Sequence, residues 1–406
     1  MKLLFVGLDH LTLSYAIACI KKNFDVTIFD YNYNSRNLKI NNQDNEIKSY
    51  MESKKIKFTN KLNSKKYDLF FYAKDSKVNK KFEINKNKIF KEIQLLIDLI
   101  GENKELVVLS QVPFGFFNYI DSQKSILIYQ VETLIFGKGV SRAEFPEFIC
   151  FGLKNYKDKT PINYMKFLKS FNCKKIKLNF DDAIFVKHGI NLYLANTLNL
   201  TNDLARLVSK LNLDWDKISN VIRKDKRIGK ESYLAAGLGI GGSNLMRDLI
   251  SIKKLSIQND YEFSTIDLIV RNSVSHSNWL EESFKAEIIK NKYTKIGIFG
   301  VSYKSGTMST IGSQTYNILR KYHKRFKFYV YDLNVKIDNK RYNSVVQLND
   351  ILEVIKYSEI LLVNHLSVSL KERSKILRNI EKSNVKIVLD PYNLLKNKKL
   401  NNIIHI

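Results

Sequence analysis

The sequence predicts an α/β fold: two Rossmann-like, doubly wound parallel-sheet domains joined by a helical middle domain with a long connecting helix. Three observations carry that expectation. A strand–turn–helix–strand unit opens the chain, a second opens near residue 294, and a long stretch of helical periodicity lies between them. The expected limits are residues 1–180, 181–292 and 293–406.

Lys2 to Val6 reads as a largely apolar strand, Gly7 begins a turn, Leu11 to Lys22 has helical periodicity, and Asp25 to Phe29 is a second strand ending at Asp30. Further apolar strands follow at Leu69 to Ala73, Leu106 to Ser110 and Ser125 to Tyr129, with a helix over Lys86 to Ile100. Strands alternating with helices predict parallel pairing, because parallel neighbours need a crossover between them. From about Asp181 to Lys292 the strand signals stop. Val186 to Leu211 carries apolar residues at three- and four-residue spacing, which predicts one long helix of the kind that bridges domains. Gly237-Leu238-Gly239-Ile240-Gly241-Gly242 then forms a turn. Thr294 to Phe299 is a strand followed by Gly300, a polar turn and a helix over Gly312 to Tyr322. Strands at Lys327 to Tyr331, Ile360 to Val363 and Val385 to Leu389 complete a second sheet.

Composition bounds the class. The 406 residues are 44% apolar and 12% aromatic, which excludes a disordered tail and a small disulfide- or metal-nucleated module. With 67 Lys+Arg against 40 Asp+Glu the net charge is +27. Two readings of that excess stand: a diffuse compositional bias, or a polyanion partner such as nucleic acid or an anionic membrane surface. The basic residues are mostly Lys scattered among Asn and Ile. Clusters such as residues 54–57 and 396–399 are no denser than a solvated surface, so no nucleic-acid partner is expected. Cys19, Cys150 and Cys173 match no zinc or disulfide framework and read as reduced thiols. Asp9 and His10 interrupt the first apolar run, and no long apolar span follows, so a cytoplasmic protein without membrane insertion is expected. His10 and His188 complete no metal set.

The turn after the first strand is the first candidate site. In a dinucleotide-binding turn one Gly makes the tight bend, a second lets the backbone approach the pyrophosphate, and a third permits close helix packing. The frame Gly7-Leu8-Asp9-His10-Leu11-Thr12 keeps only the first, and the Asp9 carboxylate has the wrong sign for a pyrophosphate. Asp30 is placed to accept ribose hydroxyl hydrogen bonds, which favours NAD over NADP. Two readings remain: a working NAD site, or a scaffold whose cofactor site has decayed.

The middle of the chain holds an ordered series. Asp181 to Asn191, with Lys187 and Asn191, precedes Asn202-Asp203, then Lys226-Arg227-Ile228-Gly229, then Gly241-Gly242-Ser243-Asn244-Leu245-Met246-Arg247-Asp248. Ser110-Gln111-Val112-Pro113-Phe114-Gly115, Val131-Glu132-Thr133-Leu134 with Gly137 and Gly139, and Gly300-Val301-Ser302-Tyr303-Lys304-Ser305-Gly306-Thr307 flank it. In this order the segments resemble the UDP-glucose/GDP-mannose dehydrogenase family, NAD-dependent enzymes that oxidise C6 of a nucleotide sugar. The likeness covers the chain end to end.

The resemblance implies a UDP- or GDP-sugar substrate, NAD as cofactor, a homodimer paired through the central helices, and a place in polysaccharide biosynthesis. It implies Gly7, Asp30, Ser110 and Gln111 at the cofactor, and Arg227, Gly241, Gly242 and Lys304 at the sugar nucleotide, with Arg227 reaching a neighbouring subunit. Glu132, Lys187, Asn191, Asn244 and Asp248 stand at catalytic positions. Lys187 would hold a developing alkoxide, Asn191 would donate to the same oxygen, Asp248 would orient water as base, and Glu132 would lie near C6. Each has a structural alternative: surface charges for Lys187 and Glu132, a helix-face amide for Asn191, a helix N-cap for Asp248, a plain tight turn for the paired glycines. The sequence departs from the family where chemistry is concentrated. Asn244 replaces the Cys whose thiolate attacks the C6 aldehyde, and a carboxamide is not a nucleophile. Gln111 replaces Thr, Arg247 replaces Lys, and Ile311 and Tyr392 stand where Arg is usual. Two functions are therefore expected: an oxidoreductase whose four-electron reaction is in doubt, or a catalytically inactive, repurposed nucleotide-sugar binder.

Overall fold

The structure is a computed structural model that describes the chain except residues 32, 34–44, 54, 122–123, 136, 339, 367, 396–401 and 406. The basic cluster at 396–399 and Lys54 of the cluster at 54–57 thus lie outside the described residues. Two compact units form, Met1–Ile190 with Ile250–Leu255, and Asn191–Leu249 with Ser256–Ile406.

The first unit begins with β1 (Lys2–Val6), α1 (His10–Lys21), β2 (Asp25–Phe29), α2 (Asn45–Glu52) and β3 (Lys57–Thr59). It continues through β4 (Leu69–Tyr72), α3 (Lys86–Ile100), β5 (Lys104–Val108), β6 (Ser125–Gln130), α4 (Gly139–Glu144), β7 (Phe148–Leu153), α5 (Ile162–Leu168) and β8 (Lys174–Asn179). The sheet order is β3-β2-β1-β4-β5-β6-β7-β8. Continuous apolar strands are what a sheet covered on both faces requires. In β1, Leu3 and Phe5 enter one core cluster while Leu4 and Val6 enter the other. Phe5 stacks on Phe71 of the neighbouring β4, with ring centroids 4.4 Å apart. Helix α3 follows the expected bounds, capped by Asn85 accepting from the Lys88 amide at 3.1 Å and closed by Gly101 at φ 84°.

Among the differences from expectation, two bear on the first unit's sheet and its exit. The sheet is not wholly parallel: β7 pairs with β6 antiparallel, and β8 then pairs parallel to β7. The sequence hid β8 because Lys174, Lys175 and Lys177 stand in it, the lysine loading that keeps an edge strand from pairing further. The long helix, α6, spans Phe180–Lys210 and so starts six residues before the expected Val186. Asp181 and Asp182 occupy its first turn, where carboxylates favour a helix N-terminus.

The second unit takes the remainder of α6 from Asn191, then α7 (Trp215–Ile222), α8 (Asn244–Gln258), α9 (Ser264–Asn291), β9 (Lys295–Phe299), α10 (Gln314–Tyr322) and β10 (Lys327–Tyr331). Residues 250–255 of α8 group with the first unit. β11 (Val345–Gln347), α11 (Ile351–Tyr357), β12 (Ile360–Val363), α12 (Leu370–Glu381), β13 (Ile387–Leu389) and β14 (Ile403–Ile404) complete it. Its sheet runs β11-β10-β9-β12-β13-β14, every pair parallel. Strand order thus reverses between β1 and β4 in one sheet and between β9 and β12 in the other. Beyond the carboxyl ends of such strands lies the crevice where α/β sheets bind ligands. Among the described residues no helix is long and apolar enough to cross a membrane, and no group of three His, Cys, Asp or Glu is poised to hold a metal.

Candidate functional site

In the first unit the crevice is built by the ends of β1, β2, β4 and β5. Gly7 leaves β1 at φ 126°, a conformation that favours glycine, and donates to the Phe29 carbonyl at 3.1 Å. A Cβ there would lie 2.6 Å from Thr12 Oγ1, so Thr12, standing in place of the third glycine, fills the space at the turn. Asp9 is the N-cap of α1. Its Oδ1 accepts from the Thr12 amide at 3.4 Å, and its Oδ2 accepts from the Asp75 amide at 2.7 Å, across the strand-order reversal. Burial pushes the Asp9 pKa up, against the hydrogen bonds from Asp75 and Thr12 and the charge of Lys74. Asp30 sits half-buried just past β2, where its amide donates to Thr59 O at 3.1 Å. Ser110 is buried and donates to the Lys74 carbonyl at 2.7 Å, tying the exits of β5 and β4 together.

Gln111, also buried, lies 3.5 Å from His188 Nε2 through its side-chain amide. His188 Nδ1 lies 2.9 Å from the Ile184 carbonyl, which makes Nδ1 the donor and leaves Nε2 to accept from Ser251 Oγ at 3.2 Å. His188 is therefore a structural imidazole in a Gln111–His188–Ser251 network. One residue earlier on α6, Lys187 is 7% exposed. Its Nζ pairs with Glu132 Oε2 at 3.2 Å, and Glu132 Oε1 accepts from the Leu134 amide at 2.9 Å. Neither is a solvated surface charge.

The second unit gathers Asn191, Asn244, Arg247 and Asp248. Asp248 is 1% exposed and accepts from Asn191 Nδ2 and, at 2.8 Å, from Arg247 Nε. Arg247 Nη1 reaches Asn244 Oδ1 at 3.4 Å. Asp248 is not an N-cap: Ser243 holds that position, and Asn244 is the exposed first residue of α8. Gly241 and Gly242 pack beneath a side chain of the protein itself. A Cβ on either would meet the Tyr303 ring at 2.9 Å, and Gly242 donates to the Ile311 carbonyl at 3.0 Å. Lys304 Nζ lies over that ring, 5.5 Å from its centroid, and burial pushes the lysine pKa down. Arg227 is apart from these groups, with an 89% exposed side chain paired to Asp225 at 2.7 Å.

Sequence reasoning missed the second crevice. Asp332, at the exit of β10, accepts backbone amides from Val301 at 2.7 Å and Val335 at 2.9 Å. Although burial raises its pKa, hydrogen bonds from His365 and from the amides of Val335, Asn334 and Ser302 hold it at about 2. Ser302 Oγ and His365 Nε2 are 2.7 Å apart. The signal was present: Asp332 ends the second strand of its βαβ unit as Asp30 ends that of the first. Two of the three cysteines are sealed off from chemistry. Cys19 and Cys150 are buried in the first unit's cores, and burial pushes both thiols up, Cys150 to about 11.

A dinucleotide fits this crevice in part. The strand-order reversal, the Gly7 turn and Asp30 suit its adenosine end; the Asp9 carboxylate does not suit its pyrophosphate.

Residues 181–273 match the profile of the UDP-glucose/GDP-mannose dehydrogenase family, central domain. A UDP-glucose 6-dehydrogenase from Rickettsia bellii is 22% identical over 342 residues, spanning 79% of this chain and 78% of that protein. Among solved structures, a UDP-glucose dehydrogenase from Pyrobaculum islandicum superposes with a TM-score of 0.78 at 18% identity, over 100% of this chain and 96% of that one. A UDP-D-ManNAc dehydrogenase from Pyrococcus horikoshii gives 0.78 at 17% identity, over 100% and 98%. The two solved structures speak for the fold.

Proposed function

The chain belongs to the UDP-glucose/GDP-mannose dehydrogenase family, and on that premise we propose that it is an NAD-dependent oxidoreductase acting on the C6 alcohol of a UDP- or GDP-sugar and stopping at the two-electron, aldehyde level. The observation that carries the reading is the Lys187 ammonium, 7% exposed with Glu132 as its carboxylate partner. A buried ion pair is a costly way to stabilise a fold, and such pairs cluster at functional sites.

The roles follow from the groups' chemistry. Lys187 stabilises the oxygen of C6 as it becomes an alkoxide, and Glu132 holds the ammonium in position. Asn191 donates one amide hydrogen to Asp248 and keeps a second for a ligand oxygen. Asp248, fixed by Arg247, takes the alcohol proton through a water. NAD, when bound, supplies the hydride acceptor, with Asp30 on the ribose and Ser110 and Gln111 shaping the exit of β5. Lys304 meets the substrate's phosphates, joined by Arg227 from a neighbouring subunit, and Gly241 and Gly242 let the loop pack against the Tyr303 ring over which Lys304 lies. Further oxidation by the covalent route needs a thiohemiacetal, which Asn244 cannot form.

A second reading, a binder without turnover, is favoured by one observation: the Asp9 carboxylate in the cofactor turn. Turnover assays with NAD and a panel of UDP- and GDP-sugars separate the two readings. NADH formation with one of them supports the enzyme; a saturable rise in melting temperature without NADH supports the binder. Neither response to any sugar would remove both.

Residues 181–292 are further proposed as the pairing domain of a homodimer. Along α6, Tyr193, Leu200, Leu204 and Leu207 are exposed at spacings of seven, four and three, one helical face. A monomeric mass in solution would contradict this.

A further inference from the structure

We infer that Asp9 is a built-in competitor of the dinucleotide's pyrophosphate: its carboxylate occupies the N-terminus of α1 and straps the turn to Asp75, so a dinucleotide binds only by displacing it. The inference rests on the proposed dinucleotide site. The physical argument needs three observations. First, two amides that a phosphate could use are already taken, since Asp9 Oδ1 accepts from the Thr12 amide at 3.4 Å and Oδ2 from the Asp75 amide at 2.7 Å. Helix N-terminal amides favour a negative group, and a side-chain carboxylate satisfies them as an anionic ligand would.

Second, the strap crosses the crevice. Asp9 follows β1 and Asp75 follows β4, the two strands between which the order reverses. Thr12 Oγ1 donates to the Ala73 carbonyl at 2.6 Å in the same place, a second link between α1 and the β4 exit. Third, the backbone leaves little slack: Gly7 lies so close to Thr12 and Lys74 that added Cβ atoms would stand 2.6 and 2.8 Å from them. A pyrophosphate cannot lie beside the carboxylate without both charge repulsion and loss of these hydrogen bonds. Gly7 keeps the tight bend of a dinucleotide-binding turn, so removing one negative charge should expose it.

The test compares wild type with Asp9→Asn and Asp9→Ser, both of which keep an N-cap acceptor and so preserve α1. Binding of NADH, ADP-ribose and adenosine is measured by calorimetry, with thermal melts to confirm folding. The expected result is NADH and ADP-ribose affinity raised about tenfold or more in both variants, the scale of removing a like-charge contact, with adenosine unchanged because Asp30 is untouched. Wild-type binding of NADH that is equal to or tighter than that of the folded variants overturns the inference and leaves the dinucleotide reading standing. Absence of NADH and ADP-ribose binding in all three proteins overturns the dinucleotide reading itself, and the inference with it.

Discussion

On the proposed reading, position 244 is where the chemistry is decided. It is the first residue of the fifteen-residue α8, exposed, with the Arg247 guanidinium 3.4 Å from its side chain. A thiol there would sit at the positive end of a helix beside a cation, conditions that favour thiolate. Asn244→Cys is therefore expected to extend oxidation from two electrons to four, read as NADH formed per sugar; an unchanged ratio would place the defect elsewhere. The Lys187–Glu132 pair makes a prediction on stability. Glu132→Ala strands a buried ammonium and should cost about 3 kcal/mol in denaturant unfolding, whereas Lys187→Met, leaving a carboxylate that is 21% exposed, should cost less while abolishing turnover. Asp332 predicts a pH dependence. Its folded pKa of about 2 lies below the usual carboxylate value of 3.8, so its contribution is full above pH 3.8 and is lost as pH falls through 2. At neutral pH that contribution is about 2 kcal/mol, and the stability gap between wild type and Asp332→Asn should shrink across that window. The sequence showed which residue types stood at these positions. It could not show that Asp9 caps a helix across a crevice or that Gln111 faces His188, because such pairings depend on chain segments 66 and 77 residues apart.

At the level of elements, apolar strands and capped helices were legible where local pattern and tertiary demand agree. β1, β2, β10, β12 and α3 keep their expected bounds because their strands are buried on both faces and Asn85 and Gly101 mark the helix ends. β8 escaped notice because an edge strand is specified by lysines rather than by apolar alternation, and the reversed β6–β7 pair has no local signature. The glycine-rich loop before α8 was legible as a turn, not as a packed layer. Gly237 lies under Tyr392, Gly241 and Gly242 under Tyr303, and a Cβ on Gly239 would fall 1.9 Å from the Ser273 carbonyl oxygen. Gly239→Ala should thus destabilise the second unit by about 1–3 kcal/mol, whereas Gly229→Ala, with open space around it but φ 89°, should show strain without overpacking. Denaturant midpoints of the two variants compare the effects; equal tolerance at both positions would contradict the packing account.

For the whole molecule, the twice-repeated strand order and the helical middle are the fold that the alternation of elements predicts. The charge of +27 has no such reading. The 40 Asp and Glu, in pairs such as Lys57 with Asp25 and Lys321 with Glu281, are already subtracted in that figure, and the cations given proposed roles are few: Lys187, Arg227, Arg247 and Lys304. Ligand binding should accordingly fall only modestly with salt, without the steep slope of counterion release from a polyanion. The central claim, a family scaffold that retains its alkoxide-binding groups and has lost its nucleophile, is tested most directly by stoichiometry. Purified protein is incubated with NAD and the UDP- or GDP-sugar it accepts, and NADH and sugar products are counted together. The account predicts one NADH per sugar and a C6 aldehyde; two NADH per sugar with a uronate product would contradict it.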